Sequence, residues 1–529
     1  MTIVWNAQRV SEGLEEIAHA RPIVSASVKQ LLDKYHGLQG SERYYDILLG
    51  DWIERYLHLI YVATQDFAAR SDSLIASDDL VKHMLIKPKS DSAEFFSAHQ
   101  SLPVVALNAL RAIVLLGVSS ISIFDGEIKI KNALTLSRRD KVIGSFLKLF
   151  SIGSSPQILF VKPFSGRMPG SWVSTMLSWR KWAIHDDLDF AFSVRMKVDA
   201  NWRSMNLSSI SSGAGLGEIA NAMLTAFVPV CFVEGFQELK EQINQARPQR
   251  FEHIYSAQAL WTHFAFKMLA AQWCEQGTKL HYHQHGGWYG SDEVHVGELY
   301  ESRVADIYYT WGWSRGASNS QPLSPVTPRL RSTEKTYDSL ICFDQPSQIY
   351  RLQYFPLPGT LQTMYDQTAD FVRERESNTI LKVRLFSGEY GSVQKDLLLK
   401  SGKKMTIDNS EKIFDQYAAS RLVVHNYLGT SWLETIGNNI PTICFYDIDA
   451  YRFRSDAKAL LEDLVKVGIL HLSGTSAAEH ANEINNDVNG WWLREEVQTA
   501  RQNFASQFAN YSADWKQSWE KNFMHHLSS

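Results

Sequence analysis

Apolar residues along this chain change their spacing as it proceeds. Over residues 1–75 they recur at helical steps, with Leu31, Leu32 and Tyr35 followed by Tyr45, Ile47, Leu48, Trp52, Tyr56 and Leu59. That spacing predicts a mostly helical beginning. Residues 102–124 read as a helix followed by a strand. Short apolar runs at 157–161, 279–283, 339–343, 381–386, 421–425 and 442–446 then read as buried strands. Between them, 220–226, 262–273, 359–373, 413–419 and 432–436 carry helical spacing. Strands alternating with helices predict parallel sheets. Near the end, Phe504, Phe508, Tyr511, Trp515, Trp519 and Phe523 follow steps of four, three, four, four and four. They predict one helix whose aromatic stripe packs on the body and crosses back to the first domain.

The pattern is interrupted once by a stretch of turn formers, Gly316, Ala317, Ser318, Asn319, Ser320, Gln321 and Pro322, with Pro325 and Pro328 following. This predicts a linker over 316–335 between a first domain, 1–315, and a second, 336–475, with a helical tail at 476–529. The 529 residues exceed what one core can serve. A net charge of −4 gives no basic footprint, which excludes a nucleic-acid binder resting on phosphate neutralisation. The four cysteines are far apart in apolar surroundings and read as reduced core thiols of a cytoplasmic protein. The first residues lack the basic-then-apolar pattern of a secretion signal. The longest apolar run, 112–124, is too short to span a bilayer and contains Ser119, Ser120 and Ser122.

Three places carry candidate chemistry. In 423–447 a strand runs into Gly429, Thr430 and Ser431 at a helix start, offering backbone N–H groups, hydroxyls and a positive dipole end to a phosphate or diphosphate. Glu434, one turn later, is placed to accept ribose hydroxyls; the blander reading is an ordinary helix cap. In 279–290, His281, His283 and His285 precede a loop of Gly286, Gly287 and Gly290. They resemble a metal triad, but a glycine-rich loop is a poor ligand platform, and phosphate donation or general acid–base chemistry suits them better. Hydrogen-bonded core histidines are the plainer alternative. Glu234 follows an apolar run at a strand end or the turn after it, and is a candidate base or nucleophile or a helix-start acid.

Taken together, HQHGGWYG, EGFQELK, YYTWGW, GTSWLETIGNNIPTICFYD, SERYYDILLGDWIERYL and the aromatic tail resemble the transferases encoded in O-antigen and surface-carbohydrate gene clusters. The resemblance implies an α/β fold of GT-B type, with two Rossmann-like domains facing a central cleft and helical N- and C-terminal additions. It is distantly similar to bacterial Kdo transferases. That likeness implies a nucleotide-sugar donor, such as a CMP-activated ulosonic acid (Kdo or a nonulosonic acid), and a glycan, lipid-linked or protein-linked acceptor for surface polysaccharide. Gly429, Thr430, Ser431 and Glu434 match the family's donor loop, and His283, His285, Gly286 and Gly287 its first-domain loop. Glu234 stands where the Kdo transferases carry two acids, one replaced here by Val233.

The expected reaction is glycosyl transfer without metal or cofactor. Gly429, Thr430 and Ser431, with Arg384 or His425, would stabilise the leaving phosphate. Glu234, His283 or His285 would deprotonate the acceptor, or Glu234 would attack the anomeric carbon if configuration is retained. Alternatives are a CDP-alcohol-dependent polyol-phosphate transferase and a non-catalytic nucleotide-sugar-binding scaffold. The expected location is the cytoplasm, including the cytoplasmic face of the inner membrane by peripheral association.

Overall fold

A computed structural model describes residues 5–70, 84–98, 101–116, 118, 121–131, 156–164, 170–189, 191–211, 213–315, 319–327, 330, 333–344, 352–354, 361–376, 379–386, 392–401, 403–407 and 412–528. Gly316, Ala317, Ser318 and Pro328 of the expected linker, and the expected helix start at 359–360, lie outside the described residues.

The chain opens with two long antiparallel helices, α1 (Ala7–His36) and α2 (Glu42–Arg70). Asn6 caps α1 by accepting the Arg9 N–H at 2.9 Å, and Gly37, at φ 64°, ends it in the left-handed conformation that glycine adopts without strain. Asp51 of α2 is fully buried against Lys267 at 2.5 Å, which ties the hairpin to the helix Phe264–Glu275 that packs beside the sheet behind it.

That sheet contains β1 (Ile158–Phe160), β2 (Ala183–His185), β3 (His253–Ser256), β4 (Lys279–His283), β5 (Ile307–Thr310) and β6 (Ser320–Pro322), all parallel in the order β6-β5-β4-β3-β1-β2. The helices α3 (Phe264–Glu275) and α4 (Val296–Val304) follow β3 and β4. A second sheet holds β7 (Tyr337–Ile341), β8 (Leu381–Arg384), β9 (Met405–Ile407), β10 (Ser420–His425), β11 (Thr442–Phe445) and β12 (Leu470–His471), parallel in the order β9-β8-β7-β10-β11-β12. Here α5 (Ile413–Ala419) leads into β10 and α6 (Thr430–Gly437) leaves it. Strands such as β11, buried at every residue, need cover on both faces, which is why they read as continuous apolar runs.

Each sheet reverses its winding once, between β1 and β3 in the first and between β7 and β10 in the second. At such switch points neighbouring loops part, leaving a crevice at the carboxyl ends of the strands. Two Rossmann-like domains with a helical N-terminal region make this the GT-B arrangement the sequence leads one to expect.

Several local expectations are corrected. The apolar run before Glu234 forms a short 3₁₀ turn, Val230–Phe232, and no strand; Pro229 precedes it and helix Phe236–Ala246 follows. The helix expected over 262–273 is broken at His263, whose side chain caps the start of α3. Within the expected linker, Ser320–Pro322 pairs with β5 as the outermost strand, where a proline without an N–H is tolerated.

The aromatic tail is two helices, α7 (Glu495–Phe508) and α8 (Trp515–Ser528). Phe504 of α7 packs on Trp432 of the second domain, ring centroids 4.9 Å apart. Trp519 of α8 is fully buried in the first, 5.2 Å from Tyr255 and 5.7 Å from His283. Among the described residues no helix is long and apolar enough to cross a membrane.

Candidate functional site

In the second domain the switch point is pinned by Asn426. Its side chain accepts the Phe343 N–H at 2.9 Å, beyond the end of β7, and donates to Thr368 at 3.1 Å. The chain then turns through Tyr427 and Leu428 to Gly429, where α6 begins with no side-chain cap. The first-turn N–H groups and the helix dipole are thereby presented to an anion.

The neighbouring side chains are disposed differently from expectation. Ser431 does not face outward, because its hydroxyl lies 2.8 Å from Tyr427 Oη and 3.3 Å from His425 Nδ1. His425 is fully buried, 3.1 Å from Thr435 Oγ1, and burial lowers its pKa to about 3, so it is neutral and lies under the helix. Arg384 ends β8 in the same row as His425, with Ile341 of β7 between them, and donates to Gln416 of α5 at 3.2 Å.

Glu434, partly exposed at its edge, has its carboxyl enclosed and receives the Tyr417 hydroxyl at 3.0 Å. Burial pushes it up to about 7. A carboxyl with a higher pKa folded than unfolded favours the folded state when protonated. Its contribution is therefore full below the ordinary value of 4.5 and is lost as the pH rises through 7. We expect thermal stability to fall between about pH 5 and about pH 8 more steeply in the wild type than in Glu434→Gln, by up to about 3 kcal/mol. Parallel melting profiles would show a carboxyl already ionised.

The first domain contributes the loop after β4. His283 is a core residue: its Nε2 donates to the Leu323 carbonyl at 3.1 Å, its Nδ1 lies 2.7 Å from Tyr255 Oη, and burial lowers its pKa to about 3. His281 is likewise taken up between His253 and Tyr309. Beyond them Gln284 fixes the loop, receiving Trp311 N–H and Trp313 Nε1–H at 3.0 Å each and donating to the Gly286 carbonyl.

His285 stands apart, half-buried, with Nδ1 3.4 Å from both Tyr289 Oη and Glu301 Oε1. Glu301, on α4 and fully buried, receives Trp261 Nε1–H at 2.6 Å and the hydroxyls of Tyr289 and Tyr308 at 2.9 Å each. A carboxylate beside Nδ1 orients the ring and makes Nε2 its basic nitrogen, as carboxylate–histidine pairs do elsewhere.

These two halves touch. Gly287 N–H donates to Thr430 Oγ1 at 3.0 Å, and a Cβ on Gly287 would fall 2.8 Å from the Gly429 carbonyl carbon. Arg454 N–H reaches the Ser291 carbonyl at 3.0 Å, and its guanidinium donates to Glu298 at 3.0 Å. The structure thus brings His285, Gly286, Gly287, Gly429 and Thr430 together.

Glu234 belongs to a different place. Both its oxygens receive Arg203, at 2.7 Å each, and Oε1 also receives the Asp199 N–H at 2.9 Å. The Arg203 side chain is fully buried and that of Glu234 is 4 % exposed. Sequence reasoning missed Glu301, Gln284 and Asn426. Each acts through a partner distant in sequence or through a backbone group, which leaves no local spacing to find; the polar residue directly after a buried strand was the only signal available for Gln284 and Asn426.

The profile of one family, described as LIC12162 family transferase, matches residues 177–523. No protein among curated sequences matches the chain. Among solved structures, the chain is similar to MurG of Acinetobacter baumannii (12% identity, TM-score 0.35, covering 69% of this chain and 100% of that one). Similar too are the glycosyltransferase SnogD from Streptomyces nogalater (11%, 0.36, 70% and 100%) and the wall teichoic acid polymerase TagF (10%, 0.34, 74% and 96%).

Proposed function

Since the chain belongs to the LIC12162 family of transferases, we propose that the group it transfers is a sugar, taken from a nucleotide-activated donor and passed to a surface-glycan or glycoconjugate acceptor. One observation carries this reading: the uncapped start of α6 and the glycine loop after β4, each at the carboxyl edge of its own sheet, meet through Gly287 and Thr430. Domains facing each other across such a junction suit a two-substrate reaction, with the donor's phosphate on one side and the acceptor on the other.

In this reading the region 336–475 holds the nucleotide sugar and 1–315 the acceptor. The N–H groups opening α6 meet the negative charge that develops on the leaving phosphate, in place of a metal ion. His285 Nε2 takes the proton of the attacking hydroxyl, and the buried Glu301 stabilises the imidazolium that results. Neutral, enclosed His283 and His425 position these loops and exchange no proton. The donor we favour is a CMP-activated ulosonic acid, Kdo or a nonulosonic acid, following the resemblance of the sequence motifs. The acceptor is a lipid-linked or protein-linked glycan reached at the cytoplasmic face of the inner membrane.

The test is a thermal-shift screen with CMP, CDP, UDP, GDP and the matching monophosphates. A ligand present at a hundred times its Kd stabilises the fold by about 2.7 kcal/mol, so binding is read directly. We expect a response to CMP. A response confined to UDP or GDP would keep sugar transfer and discard the ulosonic donor, and silence from every nucleotide would overturn the reading.

A further inference from the structure

Beside the end of helix Leu216–Phe227, residues that the chemistry above does not use enclose a cavity of about 230 Å³. Ile86, Phe95, Leu102, Val105 and Phe227 line it with apolar surface, and Lys87 and Lys89 are its charged members. The sequence builds this wall by alternation. Over the short strand Met84–Ile86 and the two residues after it, Ile86 and Pro88 are buried while Leu85, 57% exposed, and Lys87 face outward, so apolar and ammonium groups share the rim. The strand pairs in parallel with Ile121–Ile123. Just beyond it, the Lys89 and Ser90 carbonyls accept the Val230 and Cys231 N–H groups at 2.9 Å each, which fixes the rim on the body of the domain.

This wall is joined to the acceptor side of the proposed reaction. The Ser92 carbonyl accepts Arg55 Nη1–H at 3.3 Å, and Nη2–H of the same arginine reaches the Trp261 carbonyl at 3.2 Å. The Trp261 indole donates to Glu301, which stands beside His285. One arginine, one indole and one carboxylate therefore connect the cavity wall with the proposed base. Both lysines are weakly engaged. Lys89 Nζ is 3.9 Å from Glu94 Oε1, beyond hydrogen-bond range, and Lys87 Nζ stands 5.0 Å from the centre of the Phe124 ring. An anion at the rim would meet both ammonium groups without breaking a close ion pair.

We propose that this cavity takes the apolar chain of a lipid-linked acceptor and that Lys87 and Lys89 meet the phosphate at the end of that chain. The inference deepens the transferase reading, rests on it for the role of the lipid as acceptor, and selects a lipid-linked acceptor over a protein-linked one. The cavity exceeds the roughly 150 Å³ that admits a benzene, and an apolar space of this kind is filled by hydrocarbon in preference to water. Phosphate suits the rim better than carboxylate, because it offers more charge and more oxygens to two point-charge ammonium donors.

Isothermal titration of the full chain with butyl, hexyl and octyl phosphate tests this, with octanol, octanoate and inorganic phosphate as comparisons. Each methylene buried contributes about fourfold to affinity, so binding should tighten by about sixteenfold at each two-carbon step. Octanol and octanoate should bind about tenfold or more weakly than octyl phosphate, having lost charge-assisted contacts, and inorganic phosphate, with no chain, more weakly still. Val105→Phe fills the cavity from a half-buried position on its wall and should abolish the dependence on chain length. Lys87→Gln combined with Lys89→Gln should bring octyl phosphate down to the level of octanol. Melting temperatures verify that both variants fold, and their nucleotide-induced thermal shifts should match the wild type. No tightening with chain length in the wild type, tightening that persists in Val105→Phe, or octanoate binding as tightly as octyl phosphate overturns the assignment. If the alkyl phosphates behave as expected while no nucleotide stabilises the wild type, the lipid site stands and the donor reading falls. Nucleotide stabilisation without alkyl phosphate binding leaves the transfer reading standing and removes this site.

Discussion

Gly287→Ala is expected to lower the rate of transfer about a hundredfold or more while both domains remain folded, because misplacement of reacting groups by an ångström costs that much. Gly287 has no need of a positive φ, so alanine fits its own backbone. What it does not fit is the opposite domain, where the new Cβ would lie 2.8 Å from the Gly429 carbonyl carbon and 2.9 Å from the Thr430 nitrogen. Those are backbone atoms at a helix start and have no rotamer in which to withdraw. The loops must separate, the Gly287 to Thr430 hydrogen bond is lost, and overpacking adds about 1–3 kcal/mol of strain to the closed form. Gly213→Ala, whose Cβ would meet nothing within 4 Å, is the matching control. Steady-state kinetics with circular dichroism would check the pair, and full activity in Gly287→Ala would show that these loops never close on each other during turnover.

Glu234→Gln separates two roles for a residue whose position in the sequence suggested catalysis. The carboxylate is buried and held by Nε and one terminal nitrogen of Arg203, whose other terminal nitrogen donates to the Thr225 and Val228 carbonyls. Removing the negative charge leaves the guanidinium buried without a counter-ion, and breaking a pair of this kind costs about 3–5 kcal/mol. We expect a clear fall in melting temperature and in the yield of folded protein, with turnover per folded molecule preserved. Unchanged stability with abolished turnover would return Glu234 to the reaction.

The second domain was legible because its signals are local. Strands β10 and β11 are apolar runs between turn formers, α5 falls on 413–419 as its spacing indicates, and the uncapped glycine turn lies between them. The loop of Gly286 and Gly287 was visible for the same reason. What stayed hidden depends on distant partners. Glu301 sits in an ordinary helical stretch and acquires meaning only when α4 folds back under His285. Glu234 looked exposed to chemistry because Arg203, 31 residues earlier, gives no sign in sequence of reaching it. In the tail, Tyr511 keeps the helical step while the backbone around it turns, since Asn510 N–H is drawn to the Trp311 carbonyl at 2.8 Å. Periodicity records which residues are buried and is silent on whether one helix or two bury them.

The two-part tail also bears on how the protein is made. One face of the first sheet, with Phe160, Tyr255 and Tyr309, together with Trp172 of the helix Gly170–Trp179, is closed by Trp515, Trp519 and Phe523 of α8. These emerge from the ribosome only after the whole second domain has been synthesised. Throughout that interval the nascent first domain displays an unpaired aromatic surface, the kind of surface that invites aggregation and recruits chaperones. Its maturation is thus timed by the translation of α8, and the domain that is first in the sequence is finished last.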